Sequence, residues 1–161
     1  MWVDGLNMAV EKKLYWEDFV PDVRESMGQV TVELNEVLEF ASRYDPQPFH
    51  IIEEQAKQSI YGGIIASGWH TCAMVMRLMC DSYLLNSTSL GSPGIEEVKW
   101  PQPVYPGDVL TAYRTVVETR VSASKPDRGI VKTFWEVENQ NGDLVMSMTG
   151  VNFFLRREVD Q

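Results

Sequence analysis

The chain has 161 residues and a formal net charge of −9, with 44% hydrophobic and 23% charged residues. This length and composition fit one soluble globular domain and argue against a disordered chain. The acidic excess argues against nucleic acid as a partner, because phosphate binding needs clustered lysine and arginine, and no apolar stretch approaches the length of a membrane span.

The predicted organisation is an N-terminal extension over residues 1–13, one domain over residues 14–157 and a short tail over residues 158–161. The first residues carry early acidic side chains and no basic start followed by an apolar run, which predicts no secretory signal. Cys72 and Cys80 lie in an apolar segment, and eight residues of helix span about 12 Å, too far for a disulfide. A reduced, cytoplasmic setting is the simplest interpretation.

A first helix is predicted over residues 34–44. It must end near Tyr44, because Pro46 and Pro48 disfavour helical geometry in the residues before them. Residues 53–59 could form a second, short helix. The first prediction rests on apolar side chains that recur at helical spacing on one face: Leu34, Val37, Leu38, Ala41 and Tyr44.

A long apolar helix is predicted next, with Ser67 as its N-cap and the sequence GWHTCAMVMRLMCDSYLL after it. Arg77 is the only charge in this segment before Asp81. A helix of about 17 residues, about 25 Å long, that is apolar on almost every side is expected to be buried. We therefore predict that this is the central helix, and its methionines are more typical of core packing than of a wall for a bound ligand.

The rest of the chain is predicted to form strands. The Asn141-Gly142 dipeptide is a strong hairpin signal between the last two of them. A buried helix followed by an antiparallel meander predicts an α+β fold, with an antiparallel sheet wrapped around the helix. The predicted strands cover residues 95–104, 108–120, 129–138 and 143–156.

The residues that point to chemistry begin with the sequence DPQPFH. Asp45 and His50 bracket two prolines, so we expect both side chains on a stiff, extended segment, as an acid/base pair for proton transfer requires. Gly68 opens the predicted central helix, where backbone N–H groups are unpaired and carry partial positive charge. Such a helix end suits an oxygen that becomes negative during a reaction.

These segments resemble a known family. DPQPFH at residues 45–50 resembles the D-x-N-P-[LIV]-H motif of MaoC-like dehydratases and (R)-specific enoyl-CoA hydratases. IASGW at residues 65–69 resembles their apolar-apolar-His-Gly-Met entry to the central helix, and EEVKWPQPVYPGDVL resembles their later strand and Pro-Gly-Asp turn. The resemblance covers residues 14–156 and implies a single hot-dog fold.

The resemblance also implies a function, that of a hydratase or dehydratase (a lyase) of fatty acid metabolism. Asp45 and His50 would activate a water that adds to a trans-2-enoyl-CoA and would supply the α-carbon proton. The N–H of Gly68 would bind the thioester carbonyl oxygen. Coenzyme A would arrive as part of the acyl-CoA substrate, with no other cofactor. The residues expected to contact substrate are Phe49, Ser67 and Trp69.

Three positions depart from the family pattern. Gln47 stands in place of Asn, Ser67 in place of the His before the glycine, and Met76 where the hydratases often have Ser. We expect these departures to affect the substrate more than the reaction. No metal is expected, because the two histidines and two cysteines show no zinc-binding spacing.

Two other functions remain open at this point. Many hot-dog thioesterases carry a carboxylate on the central helix, whereas residues 68–80 contain none and Asp81 lies far from Gly68. A non-catalytic acyl-CoA-binding domain is the second alternative, and the intact set of site residues argues against it. Asp45 could instead cap a turn, and His70 is interpreted as structural or site-lining.

Two further expectations concern partners. Fold analogy predicts a homodimer or a higher homo-oligomer, with sites near the interface. Basic residues near the second hairpin could meet the phosphates of coenzyme A, although a solvated turn is favoured for Arg120, Lys125 and Arg128.

Overall fold

A computed structural model describes residues 13–157. The predicted tail, and the predicted extension except for its last residue, lie outside the described residues. The helices are α1 Leu34–Tyr44, α2 Pro48–Ile51, α3 Glu53–Gln58 and α4 Gly68–Met79, and α4 continues as a π-helical turn, Cys80–Leu84. A short 3-10 turn, Trp16–Asp18, lies near the start of the described residues. The strands are β1 Arg24–Thr31, β2 Gly94–Lys99, β3 Val109–Val121, β4 Arg128–Glu138 and β5 Leu144–Leu155.

The five strands form one antiparallel sheet in the order β1-β3-β4-β5-β2. Every second residue of β4 is buried, because side chains on a strand alternate between its two faces. The predicted Asn141-Gly142 turn joins β4 to β5, and Gly142 adopts a φ of +82°, which glycine tolerates without strain. The prediction of an α+β fold with an antiparallel sheet is confirmed.

Helix α4 packs against the sheet and forms the core with it. Val75 and Met79 of the helix belong to one buried cluster with Leu110, Trp135 and Val137 of the sheet. Burying each such side chain contributes about 1.5–3 kcal/mol. This is the arrangement of helix and sheet that the hot-dog resemblance implied.

The prediction that α4 is buried on every side was wrong in one respect. Trp69 is 62% exposed and Met76 is 48% exposed, and both lie with Ala73 on one face of the helix. The spacing i, i+4, i+7 places these three side chains on one stripe. The sheet covers the opposite face and leaves this stripe open in a single copy of the chain.

Three local predictions need correction. Strand β1 was not predicted, because Met27 is its only buried residue and no alternation marks it in the sequence. The strand predicted to reach residue 104 ends at Lys99, since Pro101 and Pro103 have no N–H for a ladder.

The third correction concerns the segment that carries the predicted acid/base pair. His50 does not lie on an extended segment but in the single turn α2, which Pro48 begins. Proline suits the first position of a helix because its fixed φ is already helical and its missing N–H needs no partner there.

The helices predicted over residues 34–44 and 53–59 are confirmed. In the described part of the chain, no helix combines the length and apolarity that crossing a membrane would need.

Candidate active site

A cavity of about 450 Å³ opens at the N-terminal end of α4. Its walls come from the residues after α1, from the first turn of α4 and from the proline-rich segment after β2. The residues that line it include Asp45, Phe49, His50, Gly68, Trp69 and Trp100. Six residues were predicted from the sequence to take part in catalysis or to contact substrate. Five of them line this one cavity, and Ser67 is the exception.

Asp45 and His50 meet inside this cavity. Asp45 ends α1, where its N–H donates to the Ala41 carbonyl at 2.9 Å. Its Oδ2 lies 3.3 Å from Nε2 of His50. The His50 side chain is 5% exposed and the Asp45 side chain 19% exposed, so the pair is largely shielded yet reachable from the cavity.

A hydrogen bond at the second ring nitrogen of His50 determines which nitrogen of the imidazole carries a proton. Nδ1 lies 2.7 Å from the Ile65 carbonyl oxygen. A carbonyl oxygen only accepts hydrogen bonds, so Nδ1 carries a proton. Nε2 is then the nitrogen that faces Asp45 and the cavity, and it can exchange a proton with that carboxylate or with a bound water.

The Asp45 carboxylate is held at both oxygens. Gln47 Nε2 donates to Oδ1 at 2.8 Å, and Ser67 Oγ donates to Oδ2 at 2.7 Å. Burial on its own raises the pKa of Asp45, but the hydrogen bonds from Ser67 and Gln47 and the neighbouring His50 outweigh it, and the pKa lies below its ordinary value. Asp45 is therefore ionised at neutral pH.

Ser67 has a different environment from the one expected of a substrate contact. It is fully buried and does not line the cavity. Its Oγ donates to Asp45 and accepts from the Trp69 N–H at 3.3 Å, so the predicted N-cap is confirmed. The hydroxyl is engaged within the protein rather than presented to a ligand.

Gly68 is the first residue of α4, and within the described residues its N–H has no hydrogen-bond acceptor. A Cβ at this position would lie 2.6 Å from Cε2 of Trp100. The Trp100 ring also packs edge-on against Trp69, with ring centroids 5.4 Å apart. The sequence assigned no role to Trp100, and the folded structure identifies it as part of the site, since its indole lies against Gly68 and in the cavity lining.

Other residues singled out in the sequence lie elsewhere. His70 is 6% exposed and stacks on Phe40 of α1 at 4.9 Å, outside the cavity lining, which fits the structural interpretation. Burial lowers the pKa of His70, and Glu36 partly opposes this. Asp81 pairs with Arg77 at 2.8 Å and does not line the cavity.

The basic residues of the β3–β4 hairpin are also remote from the cavity in one copy of the chain. Arg128 pairs with Asp127 at 2.8 Å, and Arg120 lies 3.8 Å from Glu118. The hairpin is at the far end of the long strand β3 from the residues that line the cavity, which fits the solvated-turn interpretation. Among residues 13–157 no group of three or more His, Cys, Asp or Glu side chains is placed to hold a metal ion.

The comparisons with known proteins bear on the same segments. The family model of the MaoC like domain matches residues 20–140. The uncharacterized protein YdeM of Bacillus subtilis is 30% identical over 110 residues, which are 68% of this chain and 76% of that protein. The 3-hydroxyacyl-thioester dehydratase Z of Mycobacterium tuberculosis is 30% identical over 126 residues, 75% of this chain and 83% of that protein.

A solved structure shows the same fold. The crystal structure of the MaoC-like dehydratase from Rhodospirillum rubrum superposes with a TM-score of 0.82 at 39% sequence identity. The match covers 91% of this chain and 99% of that one.

Proposed function

The chain belongs to the MaoC-like dehydratase family, and from that premise we propose that it reversibly adds water to a trans-2-enoyl thioester. The observation that carries the proposal is the Asp45–His50 contact of 3.3 Å in a cavity that also contains the start of α4 at Gly68. The Mycobacterium tuberculosis relative, a 3-hydroxyacyl-thioester dehydratase, supports a thioester as the substrate.

The proton balance of the reaction fits one acid/base pair. The oxygen of water bonds to the β-carbon, and the pair formed by Asp45 and His50 takes one proton from that water. The α-carbon then receives one proton from the same pair, which returns to its initial state. The net change is addition of H and OH across the double bond, and dehydration is the same sequence in reverse.

The start of α4 supplies the second requirement of this chemistry. When water adds to the β-carbon, negative charge moves onto the thioester carbonyl oxygen. The N–H of Gly68 has no acceptor in the described part of the chain, and together with the positive end of the helix it is suited to stabilise that oxygen. Coenzyme A enters this scheme only as part of the substrate, and we propose no other cofactor and no metal. The proposed setting is the cytoplasm, in line with the unpaired Cys72 and Cys80.

The direct test is a panel of trans-2-enoyl-CoA thioesters, followed by loss of the conjugated enoyl absorbance. We expect absorbance to fall without release of free thiol, because water adds to the carbon–carbon double bond and the thioester bond stays intact. Thiol release measured in the same cuvette would instead identify a thioesterase. Saturable binding of the thioesters with neither signal would identify a non-catalytic acyl-CoA-binding domain.

We also propose a homodimer that forms through the open stripe of α4 and the free edge of β2. Trp69 and Met76 are exposed on that stripe. Among residues 13–157, β2 pairs only with β5, so one edge of its backbone has no strand partner there. A second copy of the chain would cover the apolar stripe and pair the free edge. The stripe includes Trp69, which also lines the cavity, so the interface would border the site.

The dimer is tested by size-exclusion chromatography with light scattering. We expect a dimer at micromolar concentration and a shift to monomer in Met76→Glu, because a charge would then be buried without a partner at the interface. Ile60→Glu is the matched control, since Ile60 is 94% exposed and belongs to neither α4 nor β2. A monomeric parent protein would contradict the proposal.

A further inference from the structure

The segment that precedes α4 contacts both members of the acid/base pair. The Ile65 carbonyl accepts from His50 Nδ1 at 2.7 Å, and the Ser67 hydroxyl donates to Asp45 Oδ2 at 2.7 Å. Ile65 and Ser67 lie far from their partners in sequence, with separations of 15 and 22 residues. These two contacts thus fix the positions of an imidazole and a carboxylate that come from other elements.

This segment is itself fixed to the rest of the domain. The Ala66 N–H donates to the Val104 carbonyl at 2.8 Å, and the Ile65 N–H donates to the Phe49 carbonyl at 3.3 Å. Ala66 is 5% exposed. A side chain that projects from such a segment has little freedom to change its direction.

The Ser67 hydroxyl is engaged both as a donor and as an acceptor. A hydroxyl has one proton to donate, and here that proton goes to Asp45, while the same oxygen accepts from the Trp69 N–H. Ser67 has no exposed surface, so no solvent competes for these bonds. The hydroxyl therefore joins the carboxylate of the pair to the first turn of α4.

The hydrogen bond from Ser67 also determines how the Asp45 carboxylate is oriented toward the imidazole. Oδ2 of Asp45 receives the Ser67 hydroxyl and lies 3.3 Å from His50 Nε2, while Oδ1 receives the Gln47 amide. With both oxygens engaged, rotation of the carboxylate about its Cβ–Cγ bond would break at least one hydrogen bond. The two positions that depart from the family motif next to the pair, 47 and 67, are the ones that hold this carboxylate.

We propose that Ser67 is a positioning residue for the reaction proposed above: its hydroxyl holds the Asp45 carboxylate against His50. Because Ser67 is also the N-cap of α4, one residue sets the placement of the acid/base pair relative to the Gly68 N–H. The inference rests on the proposed function for its catalytic meaning. Its structural content, the control of the Asp45 carboxylate by Ser67, can be measured without any substrate.

The first measurement is a carbon-13 NMR titration of the aspartate carboxyl signals in the unliganded full-length protein. The Asp45 signal is identified by its disappearance in Asp45→Asn. Ser67→Gly removes the hydroxyl, and glycine is tolerated at N-caps nearly as well as serine. We expect the pKa of Asp45 to rise by about 1 unit in this variant, because a hydrogen bond to the charged form is lost.

Two further variants make the result specific. Ser67→Thr retains the hydroxyl and is expected to keep the titration midpoint of Asp45 close to that of the parent. Ser67→Cys, whose thiol is a weaker donor, is expected to give a smaller shift in the same direction and serves if the glycine variant does not fold. Ser87→Ala is the matched control, since Ser87 is 7% exposed and its hydroxyl bonds two backbone groups, the Leu84 carbonyl and the Ser89 N–H.

The pH profile of hydration supplies the second readout. Asp45 must be ionised to accept a proton, so loss of the Ser67 hydroxyl is expected to move the acid limb of the profile upward by the same amount. A lower melting temperature with an unchanged Asp45 titration would overturn the proposal, because Ser67 would then be an N-cap alone. If the parent hydrates no thioester, the proposed function fails, while the titration still decides the role of Ser67.

Discussion

Replacing Asp45 with asparagine is expected to lower the rate of enoyl thioester hydration by about 10²- to 10⁴-fold. The amide has almost the shape of the carboxylate, yet it cannot accept a proton from water. His50→Gln is expected to give a loss of similar size, since glutamine cannot take up and return a proton at the position of Nε2. Initial rates are measured by the fall in enoyl absorbance at a fixed pH near 7.

The two losses should be far from additive. Asp45 and His50 act as a unit across a contact of 3.3 Å, so the double variant is expected to be about as slow as the slower single variant. Asp81→Asn is the matched control. It makes the same chemical change at a carboxylate that pairs with Arg77 on the surface, and it should leave the rate unaltered. An Asp45→Asn protein that is folded and fully active would contradict the assignment of Asp45 and His50 as the acid/base pair.

The second large effect is expected from Gly68→Ala. The new methyl group would lie 2.6 Å from Cε2 and 2.8 Å from Cδ2 of Trp100, distances at which either the ring or the start of α4 must move. If the helix start moves, the Gly68 N–H no longer points at the thioester oxygen. Loss of one oxyanion donor typically lowers kcat by about 10²- to 10³-fold, and we expect a fall of that order.

A glycine elsewhere and a second substitution separate this steric cause from other effects. Gly63→Ala is the matched control, because a Cβ at Gly63 meets no atom within 4 Å, and its activity should equal that of the parent. In the double variant with Trp100→Ala the clash is absent, so part of the lost activity should return. If Gly68→Ala hydrates enoyl thioesters at the parental rate, the oxyanion role of this helix end is wrong.

The helices and the hairpin turn were predictable because their signals are local. Helix α1 follows from apolar residues at helical spacing between Leu34 and Tyr44, with the prolines after it to end it. The start of α4 follows from Ser67, whose side chain accepts from a backbone N–H two residues away. Strand β1 was missed because most of its residues are exposed and its burial follows no alternating pattern.

The candidate site was predictable only in its residue types. The motif around Asp45 and His50 indicated an acid/base pair, and the comparisons confirm the family that the motif suggested. The motif also led to an extended segment for His50 that the structure replaces with the turn α2. Within so short a segment two prolines are compatible with either conformation, and the packing of His50 against the Ile65 carbonyl selects one.

By itself, the sequence determined the fold class, the family, and the presence of a carboxylate, an imidazole and a helix-starting glycine at set positions. Tertiary structure alone decided that Ser67 holds Asp45, that Ile65 orients His50 and that Trp100 covers Gly68. Periodicity and capping depend on residues a few positions apart, so they can be read along the chain. Hydrogen bonds between distant segments depend on donor and acceptor atoms within about 3 Å of each other, and only the packed backbone brings them there.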